Sequence, residues 1–384
     1  MDALPAPDTP MTLRLLAAAL ILGLPLAAAA ESREFPSEHG KVRVSTVAEG
    51  LEHPWGLAFL PDGRMLVTER PGRLRIVASD GTLSAPIAGV PRVQARGQGG
   101  LLDVALHPRF AENRLVYLSF AEPGSGGAST AVARGRLEGE RLHEVEVIFR
   151  QAPKVDTGFH YGSRLVFDRE GKLFVSTGDR GMQDTAQDLR LGQGKLFRLN
   201  DDGTPAPGLP FADRPGTHPG VFSYGHRNIQ GMDLHPQTGL LWTHEHGPRG
   251  GDEINVARAG RNYGWPVITF GVNYTGTTIG EGLTEKAGME QPLYQWTPSI
   301  GVSGMAFYNA ERFPAWRGDL FVGGLALTRL ERLELDGERV SHREVLIDDW
   351  NQRIRDVRQG PDGALYVLTD ARNGQLARVE LLPR

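Results

Sequence analysis

Residues 244–255, HEHGPRGGDEIN, bring two histidines, an arginine, three acids and three glycines into twelve positions. Asp252 and Glu253 offer hard carboxylate oxygens. Gly247, Pro248, Gly250 and Gly251 offer backbone carbonyls in a tight loop. That mixture suits Ca²⁺, which takes oxygen ligands, better than zinc, although His244 and His246 are close. The DxDxDG spacing of an EF-hand is missing. Four further polar clusters accompany this one. Gln98 sits in RGQGG, residues 96–100, where glycines let the backbone approach a ligand and the amide can donate and accept. His160 sits in GFHYG, residues 158–162, at a strand start, where an imidazole can act as a base. Asp179, across the following hairpin, is placed to orient that imidazole. Arg227 and Asn228 in YGHRN suit an anionic or carbonyl-bearing ligand. Arg353 and Arg355 alternate onto one strand face, a costly pairing unless an anion is near. Each cluster taken singly also reads as an ordinary loop, ion pair or solvated edge.

These clusters need a scaffold that brings loops together, and the sequence supplies a repeat. A short alternating strand, a turn and a second strand recur six times. Residues 55–59 lead to 64–68, 102–106 to 115–118, and 163–167 to 172–176. Residues 231–234 lead to 240–242, 304–307 to 319–322, and 355–357 to 364–367. Several turns are Asp-Gly or Glu-Gly, hairpin types in which glycine supplies the positive φ. Further strands follow, as at 72–77 and 375–379. Three or four strands per unit, repeated radially, predict an all-β, six-bladed β-propeller. Residues 41–47 read as a strand that completes the last blade. A pair of β-sandwiches is the alternative, and it explains the repeat less well.

The chain has 384 residues and a formal net charge of -4, with no basic run, so nucleic acid is not an expected partner. It has no cysteine, which excludes disulfides, thiolate metal sites and a cysteine nucleophile. No GxGxxG follows a strand into a helix, so a nicotinamide or flavin fold is unsupported. Arg14 precedes an apolar run from 15 to 30 that ends in AAAA. This reads as a secretory signal, short for a transmembrane span, with cleavage near Ala30 and Met11 as an alternative start. The expectation is a signal peptide over 1–30 and one propeller domain over 31–384. The mature chain would be periplasmic or secreted, without stable membrane insertion, as a monomer or homodimer.

The motifs HPWGLAFLPDG, GQGGLLDV, HYGSRLVF, SYGHRN, HGPRGGDEIN, NYGWP, GVNY and RIRDVRQGPDG together resemble the soluble PQQ-dependent glucose and aldose sugar dehydrogenases. The resemblance spans about 42–379. It implies a six-bladed propeller that oxidises aldoses at C1 to the lactone, with PQQ and Ca²⁺ as cofactors and an external electron acceptor. It implies His160 as general base, Asp179 as its orienting partner and Arg227 over the reactive carbonyl region of the quinone. Gln98, Arg227, Asn228, Tyr274, Arg353 and Arg355 would contact the cofactor, with Leu325, Ala326 and Leu327 lining its site. The carbonyls of Gly247 and Pro248 would hold the cofactor's calcium, and Glu253 with the Tyr263 carbonyl a second, structural one. The glucose dehydrogenase branch has a lysine facing the cofactor in the fifth blade. Residues 323–328, GGLALT, have none and resemble the aldose branch, which implies a broader range of sugars. The residues alone leave two alternatives: a calcium-dependent propeller hydrolase such as a lactonase, and a sugar-binding propeller without catalysis.

Overall fold

Each repeat folds into an antiparallel sheet, and the six sheets are the blades of a β-propeller. A computed structural model of the chain describes residues 32–383 together with 1, 2 and 4. The signal-peptide expectation over 1–30 therefore lies almost wholly outside the described residues. Blade 1 has three strands within 54–77. Blades 2 to 5 have four each, within 101–150, 165–224, 229–296 and 302–347. Blade 6 is built from both ends of the chain. Ile354–Gln359, Leu365–Thr369 and Gly374–Leu382 are joined by Gly40–Leu51, with Val44 opposite Val379. The expected closing strand is thus present and longer than residues 41–47. Ser32–Ser37 adds a fifth strand outside it.

Apolar side chains form layers between blades. Trp242, Val302, Phe307 and Val322 lie between blades 4 and 5, for example, and Leu57, Val67, Leu368 and Leu376 between blades 6 and 1. Each strand presents alternate residues to opposite sheet faces, so blades buried on both faces need apolar residues on both.

The centre is polar instead. Asp103, Asp233 and Asp356 stand on the innermost strands of blades 2, 4 and 6. Each accepts from a backbone N–H of the next blade: Leu165 (2.9 Å), Phe307 (2.8 Å) and Leu57 (3.1 Å). The throat of the ring also holds Arg164 and Arg358. Arg164 Nη1 lies 3.3 Å from Asp103 and 2.9 Å from Asp356. Arg358 lies 3.0 Å from each of the same two carboxylates. Gly56 and Gly304 face this region because a Cβ there would meet the Asp103 and Asp356 carboxylates.

Candidate functional site

One end of the ring opens into a pocket of about 450 Å³, in the size range of cofactor sites. It is lined by Gln98, Tyr161 and Gly162 from loops of blades 2 and 3, and by 246–250 and Asp252 from blade 4. Tyr274, Leu325, Ala326, Arg353 and Arg355, which the sequence also singled out, line it too, with Trp55, Arg70, Gln230, Ser299 and Asp370. Loops from all six blades therefore converge.

His160 stands beside Gln98, Tyr161 and Gly162. Its backbone is left-handed, at φ 51°, and its N–H donates to Gln98 Oε1 at 2.8 Å. Gly178 is required opposite, since a Cβ there would lie 2.0 Å from the His160 carbonyl oxygen. His160 Nδ1–H donates to Asp179 Oδ1 at 2.6 Å, which leaves Nε2 as the basic nitrogen. Burial pushes the imidazole below its usual range, the Asp179 bond opposes this, and Arg227 and Arg180 add to the lowering. Asp179 is itself buried. Burial raises its pKa, but the bond and charge of His160 outweigh that, and the carboxyl stays below its usual range. The two residues, read from the sequence as lying across one hairpin, are in direct contact.

Across the pocket, Arg353 and Arg355 converge on one carboxylate. Asp370 Oδ2 lies 3.4 Å from Arg353 and 3.1 Å from Arg355, while its Oδ1 pairs with His53 at 2.9 Å. Asp370 was not found from the sequence. Its position just beyond a strand of the last blade, opposite the two arginines, was the available signal. Burial pushes Arg355 below the usual guanidinium range, and Asp370 offsets this only in part. Arg355 Nε and Arg227 Nε are buried without a hydrogen-bond partner. With Arg70 also on the wall, three guanidinium groups face one carboxylate. This side of the pocket is short of negative charge.

The loop 246–251 folds tightly on itself. A Cβ on Gly247 would fall 2.2 Å from the Gly250 carbonyl oxygen. Asp252 holds the loop rather than offering a free carboxylate. It accepts from Gly247 N at 3.0 Å, Gly301 N at 2.7 Å and Val302 N at 3.1 Å. The expectation that Asp252 offers metal oxygens is corrected accordingly: three backbone donors already use them. Behind the pocket wall lies a cavity of about 10 Å³, room for a single water or ion. Glu245, Glu253, Tyr263 and Arg227 line it, and His246 and Gly247 line both cavities. Glu245 and Glu253 are opposed across adjacent strands. Burial, followed by the charge of Glu245, raises the Glu253 carboxyl well above its usual range. Among the described residues no three His, Asp or Glu side chains gather as a metal cage. A cation here would rest on one or two carboxylates and on carbonyls, which is the calcium pattern.

Three residues face elsewhere than expected: Arg227 lines the small cavity and not the large pocket, and two others stand behind the wall. Asn228 is fully buried beneath the pocket, where its Oδ1 accepts from Gly162 N at 3.0 Å and its backbone N–H donates to Glu245 at 3.2 Å. Leu327 packs against the apolar layer between blades 4 and 5. Both support the wall from behind. Ala326, next to Leu327, does line the pocket, whereas Arg227 and Ile229, on either side of Asn228, do not.

The glucose/sorbosone dehydrogenase family model matches residues 51–378. The aldose sugar dehydrogenase YliI of Escherichia coli is 49% identical over 343 residues, covering 88% of this chain and 92% of that protein. A solved structure described as a glucose dehydrogenase is 53% identical, with a TM-score of 0.87, over 88% of this chain and 99% of that one. The PQQ-bound form of an aldose sugar dehydrogenase from Streptomyces coelicolor is 32% identical, with a TM-score of 0.74, over 90% of this chain and all of that one.

Proposed function

The chain belongs to the glucose/sorbosone dehydrogenase family, and on that premise we propose that it is an exported quinoprotein that oxidises aldose sugars at C1 to the lactone, using PQQ and Ca²⁺. The observation that carries this reading is a base dyad, joined through Gln98 to the rim of a pocket whose arginines are underpaired. PQQ carries three carboxylates, and Arg70, Arg353 and Arg355 against Asp370 leave the positive charge to receive them. Gln98, Tyr274, Leu325 and Ala326 would contact the ring system, and Arg227, from the neighbouring cavity, would approach its carbonyl edge, with Asn228 and Leu327 behind them. Gly247 and Pro248 carbonyls would hold the cofactor's calcium, and Glu253 with the Tyr263 carbonyl a second one. When bound, PQQ with its calcium supplies a polarised quinone that accepts a hydride.

Oxidation of a C1 hydroxyl removes one hydride and one proton, and the chain supplies the place for the proton. Nε2 of His160 is neutral and unhindered by its Nδ1 bond, so it takes the hydroxyl proton as the hydride leaves. Asp179 fixes the tautomer and stabilises the imidazolium that results. We place the mature chain, 31–384, outside the cytoplasm after removal of 1–30, passing electrons to an external acceptor. The test is dye reduction by the purified chain with glucose and other aldoses, with PQQ and Ca²⁺ each added or withheld. Activity that needs both is expected. Folded protein that binds no PQQ and hydrolyses lactones would replace this reading with the hydrolase.

A further inference from the structure

Trp265 lies outside the large pocket, yet it touches the proton-transfer pair, the arginine beside it and the acidic cavity. Its indole Nε1–H donates to Asp179 Oδ2 at 2.8 Å, on the carboxylate oxygen opposite the one that receives His160. The Arg227 guanidinium carbon lies 5.2 Å from the centre of its ring. The ring also forms part of the wall of the cavity that holds Glu245 and Glu253. Its backbone is held on two sides. Trp265 N–H donates to the Gly225 carbonyl at 2.9 Å, and Gln187 Nε2 donates to the Trp265 carbonyl at 2.7 Å. Ala186 and Ile279 pack around the side chain, which is 7% exposed.

We propose that Trp265 is a positioning residue for proton transfer, acting through Asp179 to fix the His160 imidazole, an inference that rests on the base role proposed above for His160. The chemistry favours a tryptophan here. An indole N–H donates and cannot accept, so it favours the ionised carboxylate and offers the O–H of a protonated one no acceptor. With Oδ2 held by Trp265, and Oδ1 shared by His160 and the Gly181 N–H at 2.7 Å, the carboxylate plane cannot rotate without breaking a bond. A carboxylate that cannot rotate presents Oδ1 in one direction, and that direction sets where Nε2 of His160 points. The charged groups facing His160 are Asp179, Arg227 and Arg180. Trp265 bonds the first and lies under the second. A phenylalanine in its place would keep the ring beneath Arg227 and remove only the donor.

The experiment is a double-substitution cycle in PQQ- and Ca²⁺-loaded enzyme, joined to a measurement on the apo chain. W265F is expected to lower kcat about three- to tenfold, the loss of one buried hydrogen bond, with KM changed less than twofold. In a D179A background the same substitution is expected to cost nothing further, because its route to His160 is already gone. Equal losses in both backgrounds would show a merely structural role and overturn the proposal. In the apo chain, ¹⁵N-labelled at its six tryptophans, one indole N–H resonance is expected to move as His160 titrates and to stop moving in D179A. If no indole responds, the proposal falls, whether or not W265F folds. If the indole responds but no aldose is oxidised, the positioning role stands and the sugar-oxidation reading fails.

Discussion

Two groups of arginines, each with a buried member, sit within one molecule, and they are balanced differently. In the throat, Arg164 and Arg358 each meet Asp103 and Asp356 in ion pairs of 2.9 to 3.3 Å, and Asp233 adds a third carboxylate near Arg358. Burial alone would lower Arg358, but Asp356, Asp103 and, less, Asp233 carry it above the usual guanidinium range. At the pocket, burial shifts Arg355 the other way, below that range, and Asp370, which is shared with Arg353 and His53, offsets this only in part. A fully paired network rigidifies a fold, whereas underpaired buried charge costs stability unless something else supplies the counter-charge. The throat is completed by the chain alone. The pocket is left to be completed by an anion. The difference supports the proposed ligand site by a route independent of any relative.

Substitutions can break that comparison. The largest effect is expected from H160A, which removes the base and should lower turnover in the dye assay by about 10²- to 10⁴-fold with little loss of stability. A drop below tenfold would remove His160 from that role. Next, R164M in the throat should cost about 3–5 kcal/mol in chemical denaturation, because it leaves two buried aspartates with a single cation. R355M should cost the apo chain roughly 1 kcal/mol or less while abolishing PQQ retention. Equal destabilisation by the two would erase the distinction between throat and pocket. E253Q should weaken calcium retention and make the melting temperature insensitive to chelator, since a cation bound only by the folded state stabilises it. An unchanged response to chelator would argue against a cation at Glu253. The smallest effect concerns pH. Burial lowers the His160 pKa, so the neutral base persists to lower pH than in free histidine, and the acid limb of kcat/KM should lie below about 6.5. Asp179 raises that pKa, so D179N should move the limb lower still while reducing the rate. A limb that moves upward would contradict the assigned partner.

The sequence by itself determined the repeat, the turns and the polar loops. Hairpin glycines and alternating strands depend on neighbours in the chain, so the six blades and the closing strand near residue 44 were legible locally. The clusters around Gln98, His160, Arg227, Gly247 and Arg355 were legible because polar, glycine-rich runs interrupt apolar strands. Tertiary structure alone decided which members of those clusters face the pocket. Asn228 and Leu327 turn behind it, and Asp252 is taken up by three backbone donors. Asp370 and Trp265 became site residues only when distant segments met: Asp370 beside Arg353 and Arg355, and Trp265 some 86 positions along the chain from Asp179. The physical reason is range. Turn and strand preferences act over a few residues, while charge balance and hydrogen-bond partnership are settled by whichever groups folding brings within about 3 Å of one another.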